Sequence, residues 1–180
     1  MVRYRRNFVP GGTWFFTVTL ADRRGCLLTD RIDALGTAFR QCRALHPFET
    51  IAIAVLPEHL HCVWTLPDGD AGYATRWSLI KRAFTRKQYR EGPTDARAAK
   101  RIWQPRFWEN TIRDDTDLQR HVDYIHYNPV KHGCASRAAD WPHSSFHRYV
   151  EHGWLTEDWA SGEDDDTANF GEPCRVGVVA

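Results

Sequence analysis

Apolar residues run along this chain in short blocks bounded by turn formers, and the spacing within each block predicts its element. After Pro10-Gly11-Gly12, residues 13–20 (TWFFTVTL) are aromatic and β-branched, which predicts a first, buried strand. From 30 to 45, Ile32, Leu35, Phe39 and Cys42 recur at helical spacing, with Asp30 placed to cap the start. Residues 48–55 (FETIAIAV) and 59–66 (HLHCVWTL) read as strands joined by Leu56-Pro57-Glu58, a short hairpin. Pro67-Asp68-Gly69-Asp70 breaks the chain, and Trp77, Ile80, Lys81 and Phe84 mark a second helix. Residues 91–101 show no apolar pattern and predict a flexible loop; 102–112 (IWQPRFWENTI) resume the sheet, with Pro105 implying an edge or a break. A third helix is expected over 117–128, capped by Asp114, Asp115 or Thr116, striped by Leu118, Val122 and Ile125, and stopped by Pro129. The order β-α-β-β-α-β-α predicts an α+β fold, a ferredoxin-like antiparallel sheet with helices packed on it.

Beyond the third helix, 138–150 reads as an ordered extension, so that 1–150 is one domain and 151–180 a mobile acidic tail carrying the run GEDDD. At 180 residues and 42% hydrophobic content, one domain with a core and a tail fits and two large domains do not. The net charge of +1 hides an asymmetry: 1–150 carry 23 basic and 15 acidic residues (+8), whereas 151–180 carry 1 and 8 (−7). A basic body suits a polyanionic partner such as nucleic acid, although an ordinary solvated surface accounts equally well for charge alone. The tail invites the expectation that it competes with DNA for that body, against the plainer reading of a solubilising tail. The five cysteines are scattered without a C-x-x-C pair, so neither a disulfide framework nor a cysteine zinc site is indicated. No apolar run approaches the ~18 residues of a membrane span and the basic start lacks an apolar core, which predicts a cytoplasmic protein without a membrane partner.

The candidate chemistry lies in the third strand and third helix. Alternate strand residues share a face, so His59 and His61 project together while Leu60, Cys62 and Trp64 point into the core. Two adjacent imidazoles are half of a metal site, and H-x-H alone is a weak signal. Tyr124 and Asn128 sit one turn apart on one helix face, where Asn128 offers a carbonyl oxygen as third ligand and leaves positions open for phosphate oxygens, as Mg²⁺ or Mn²⁺ accepts. Equally, Tyr124 could only pack and Asn128 only cap the helix. A phenol of pKa ~10 is a poor nucleophile at neutral pH, so a metal that polarises and orients the phosphate suits it. Attack would give a 5′-phosphotyrosine and a free 3′-OH, and the stored bond permits resealing without ATP.

Taken together, YRRNFVPGGTWFFTVTL, LPEHLHCVWTLPDGD, the basic second helix, IWQPRFWENTIRD and HVDYIHYNPVKHG resemble, in one order over about 1–160, the REP-associated tyrosine transposases. These are single-tyrosine transposases of the HUH endonuclease fold. The resemblance implies that His59 and His61 are metal ligands, that Tyr124 is the nucleophile with Tyr127 as rival, and that Asn128 completes the coordination. It assigns His121 and His126 no role, leaving them as surface or supporting residues. It implies a transposase that binds single-stranded DNA carrying palindromic hairpins, with a short single-stranded guide beside the hairpin foot and no nucleotide cofactor. Arg3, Tyr4, Arg5 and Arg6 at the N-terminus and Lys81, Arg82 and Arg86 on the second helix are the candidate DNA contacts. Insertion-sequence relatives exchange helices in dimers; a REP-associated member implies a monomer. A non-catalytic module that recognises the same hairpins, and an unrelated metal hydrolase that uses water, are the alternatives.

Overall fold

The computed structural model describes residues 8–91 and 102–160. Its sheet has four strands, β1 (Thr13–Thr19), β2 (Glu49–Val55), β3 (His59–Thr65) and β4 (Trp108–Thr111), in the order β2-β3-β1-β4 with every neighbour antiparallel. Hydrogen-bonded pairing runs from Thr13 opposite Thr65 to Thr19 opposite His59, and Val55 pairs with Leu60 across the expected β2–β3 hairpin. The α+β, ferredoxin-like reading of the sequence is thus the observed architecture.

The central strand is apolar on both faces because both faces are covered. Trp14, Phe16 and Val18 join Leu60, Cys62 and Trp64 under α2 (Ile32–Leu45) and α3 (Tyr73–Glu91), which follow a single short turn of helix, α1 (Leu27–Asp30). Trp64 stacks on Trp77 of α3 with ring centroids 4.3 Å apart, and Phe39 of α2 meets both edge-on. On the opposite face Phe15, Ala52, Ala54 and Val63 meet Val122, Tyr124 and Ile125 of α4 (Asp115–Lys131). The alanines of β2 let this helix lie close to the sheet, since packing distance follows side-chain size.

Three expectations need correction. Asp30 does not cap the long helix; it closes α1, and α2 starts after Arg31 without a side-chain cap. Pro129 does not stop α4, which continues to Lys131. A proline withholds one N–H, and the cost is absorbed where tertiary contacts hold both flanking turns. The run 102–112 is not one strand: Trp103 makes an isolated bridge to Leu20, the chain breaks around Pro105, and only Trp108–Thr111 pairs regularly, at the sheet edge. Beyond 150, Trp159 packs on Phe146 and His126. Glu91 ends α3; the remainder of the anticipated 91–101 loop and tail residues 161–180 lie outside the described residues.

The C-terminal extension protects the exposed edge of β2. The amide of Val55 donates to the carbonyl of His143, Ser145 N–H to the carbonyl of Ile53, and Ile53 N–H to Ser145 Oγ (2.8, 2.8 and 2.9 Å). These bonds satisfy edge groups that would otherwise template association with another strand. A 3-10 turn (Ala138–Asp140) and helix α5 (Phe146–Glu151) flank the segment. No helix among the described residues is long and apolar enough to cross a membrane.

A candidate active site between the sheet and its covering helix

His59 and His61 emerge from β3 toward α4, as strand alternation requires, with ring centroids 4.9 Å apart and planes at 81°. Both are buried, at 2% and 0% exposure. Nδ1 of His61 lies 2.9 Å from Thr17 Oγ1 on the paired position of β1, and Nδ1 of His59 lies 3.3 Å from a carboxylate oxygen of buried Glu58. An ionised carboxylate only accepts, so it favours the proton on His59 Nδ1 and leaves the Nε2 lone pair to act as ligand; the threonine can impose the same tautomer on His61. Second partners of this kind are how metal-binding histidines are oriented.

Helix α4 carries the remaining groups. Asp114 caps it, its side chain accepting from Asp117 N–H at 2.8 Å. His121, one turn on, directs Nδ1 to the Asp117 carbonyl (2.7 Å), which can only accept, so Nδ1 bears the proton and Nε2 accepts from the Asn110 side-chain amide at 3.3 Å. That contact ties the helix start to β4, and burial pushes the His121 pKa below its ordinary value. Tyr124 follows, 1% exposed, its ring 5.2 Å from that of His61 at 74° and 6.0 Å from Phe15. Asn128 is fully buried one turn further. Tyr127 is only half-buried, and it is the ring of Tyr124 that stands against His61.

The donor set suits a hard divalent cation in part. Among the described residues no group of three His, Cys, Asp or Glu side chains forms a ligand set. A cation held by His59 and His61 therefore needs amide oxygen from Asn128, or oxygens brought by the substrate, to complete its coordination.

No family profile matches the chain. Its sequence is 48% identical over 168 residues to the REP-associated tyrosine transposase of Escherichia coli K12, a match covering 93% of this chain and 96% of the relative. A Haemophilus influenzae protein assigned to the same family is 46% identical over 170 residues, 91% and 96% of the two chains. The solved structure of a REP-associated tyrosine transposase bound to a REP hairpin matches with a TM-score of 0.84 and 47% identity, over 98% of this chain and 99% of that one. The chain belongs to the REP-associated tyrosine transposases.

Within this family member, sequence reasoning passed over two residues of the site. Lys131 holds its ammonium 4.9 Å from the centre of the Tyr124 ring, a cation–π distance, and the His132 ring is 4.9 Å from that of His59. They lie seven and four residues beyond Tyr124 and Asn128, so the same helical period carried past Pro129 would have found them. His121 and His126 are fully buried rather than on the surface. His126 bonds Ser145 Oγ through Nε2 at 2.9 Å and packs on Tyr149, and so anchors the extension that covers β2. Of the candidate DNA contacts, Arg3, Tyr4, Arg5 and Arg6 lie outside the described residues. Lys81, Arg82 and Arg86 are on α3, across the sheet from α4. Arg82 and Arg86 are exposed, whereas Lys81 donates to the Gln104 carbonyl at 3.1 Å and lies over the Trp103 and Phe107 rings.

Proposed function

We propose that this transposase binds single-stranded DNA at palindromic hairpins of the REP type, and cleaves and rejoins it through a phosphotyrosine on Tyr124. The observation that carries the reading is the meeting, inside one chain, of the Tyr124 ring with the paired imidazoles of His59 and His61, with Asn128 one turn along the same helix. Tyr124 Oη attacks phosphorus, an oxygen–phosphorus bond forms, and the bond to the 3′ oxygen breaks; overall the phenol proton goes to the departing 3′ oxygen, which leaves as a 3′-OH. In the reverse direction a 3′-OH attacks the phosphotyrosine and the phenol is restored, so no nucleotide cofactor is consumed. A divalent cation, Mg²⁺ or Mn²⁺, held by His59, His61 and Asn128 would polarise the phosphate. Glu58 and Thr17 hold the imidazoles in the ligating tautomer, and Phe15 supports the tyrosine ring in its place. Because one chain supplies all four residues, a monomer suffices, and the basic residues 1–150 attract the DNA.

The near-complete burial of Tyr124 supports a second reading, a module that grips hairpins without cutting them. Cleavage of hairpin-bearing single strands in Mn²⁺ separates the two. Wild type and Tyr127→Phe should cut at rates within a few-fold of each other, and His61→Ala should not cut. Cutting that disappears in Tyr127→Phe would contradict the assignment.

A further inference from the structure

The hydroxyl oxygen of Tyr124 is shut off from solvent, so a phosphate that reaches it has to displace part of what covers the residue. Phe15 and His61 form part of that cover, and both are buried side chains fixed on strands of the sheet. Lys131 forms another part, and it is an exposed residue whose ammonium lies 4.9 Å from the centre of the Tyr124 ring. An exposed lysine stem changes rotamer freely, whereas a ring packed in the core does not. Lys131 can therefore open the cover without disturbing the sheet.

Helix geometry explains how a residue two turns away comes to lie there. Tyr124, Asn128 and Lys131 stand at i, i+4 and i+7 on one face of α4, and roughly 10 Å of helix rise separates the first from the last. Side chains on a helix lean toward its N-terminus, so the Lys131 stem reaches back along the Asn128 turn and sets its charge at the Tyr124 ring. This depends on α4 continuing through Pro129 as far as Lys131. A phosphate oxygen is a stronger partner for an ammonium than the face of a phenol ring, since the contact is ion to ion. A cation already in place beside a phosphate under attack also opposes the charge that builds up on its oxygens.

Resting on the strand-cleavage reading above, we infer that Lys131 is a further catalytic residue: as DNA enters, its ammonium turns from the Tyr124 ring to a non-bridging oxygen of the phosphate to be cut, uncovering the nucleophile and stabilising the charge that develops during attack. Lys131 exchanges no atoms in this step; the bonds that form and break remain those of Tyr124 Oη and the 3′ oxygen.

The test is single-turnover cleavage of a hairpin-bearing single strand in Mn²⁺, beside equilibrium binding of the same strand and thermal melting. Lys131→Met keeps an unbranched stem and removes the charge, and at saturating DNA it should cut about 10²- to 10³-fold more slowly. Because the ammonium only exchanges one partner for another on binding, hairpin affinity should stay within about threefold of wild type, and the melting temperature within about 2 °C. Lys131→Arg, which keeps a cation, should recover most of the rate. Cutting by Lys131→Met within about threefold of wild type overturns the role of Lys131 and leaves that of Tyr124 intact. A loss of rate matched by an equal loss of hairpin affinity also overturns it, marking Lys131 as a general DNA contact. So does a loss matched by a lower melting temperature, since a lysine in the last turn also complements the negative end of the helix. Wild type that binds the hairpin and never cuts it overturns both readings.

Discussion

A histidine ligand is only as good as the group that fixes its other nitrogen, and in the proposed metal site Glu58 and Thr17 stand beside the Nδ1 atoms of His59 and His61. Glu58→Gln should lower Mn²⁺ affinity about 10- to 100-fold, measured by paramagnetic titration, with the fold retained; unchanged affinity would mean that His59 is not oriented this way. The paired histidines were legible because a strand repeats every two residues, so HLH alone places both rings on one face. His132 and Lys131 were not, because Pro129 was read as the end of the helix. Glu58 sits in a turn, and no local pattern relates it to the ring it touches.

At the scale of elements, α4 is fixed at both ends, and each end offers a measurement. Asp114→Ala removes the cap on Asp117 N–H and should cost about 1 kcal/mol in urea unfolding. No measurable cost would show that the cap is dispensable. Further along, burial pushes the His126 pKa from 6.5 to about 3, with Arg148 adding to the effect. Between those values the unfolded chain binds a proton that the folded chain refuses, so stability falls as pH drops from about 6.5 toward 3. Each pH unit in that window costs about 1.4 kcal/mol from this residue. The melting temperature should therefore decline below pH 6.5 more steeply in wild type than in His126→Gln, and parallel profiles would refute the assignment. The main strands and helices were legible because their apolar periods agree with their turn residues. α1 was too short for a period to show, and the reading of 102–112 ran together an isolated bridge and an edge strand that Pro105 separates. Packing against α2, α3 and α4, rather than local pattern, decides where those boundaries fall.

For the whole molecule, charge is the property that sequence states directly: +8 over residues 1–150 and −7 over 151–180. If the acidic segment competes with DNA for the basic body, deletion of residues 161–180 should raise affinity for a hairpin several-fold at low salt, with the gain shrinking as salt is added. Unchanged affinity and cleavage would leave the tail as a solubilising segment. The central claim concerns Tyr124, and the most direct measurement is incubation with a labelled hairpin-bearing single strand in Mg²⁺ or Mn²⁺, followed by a denaturing gel. Wild type should give a slow-migrating protein–DNA adduct that maps to Tyr124 and is absent from Tyr124→Phe. An adduct that persists in Tyr124→Phe, or tight hairpin binding with no adduct under either metal, would contradict it.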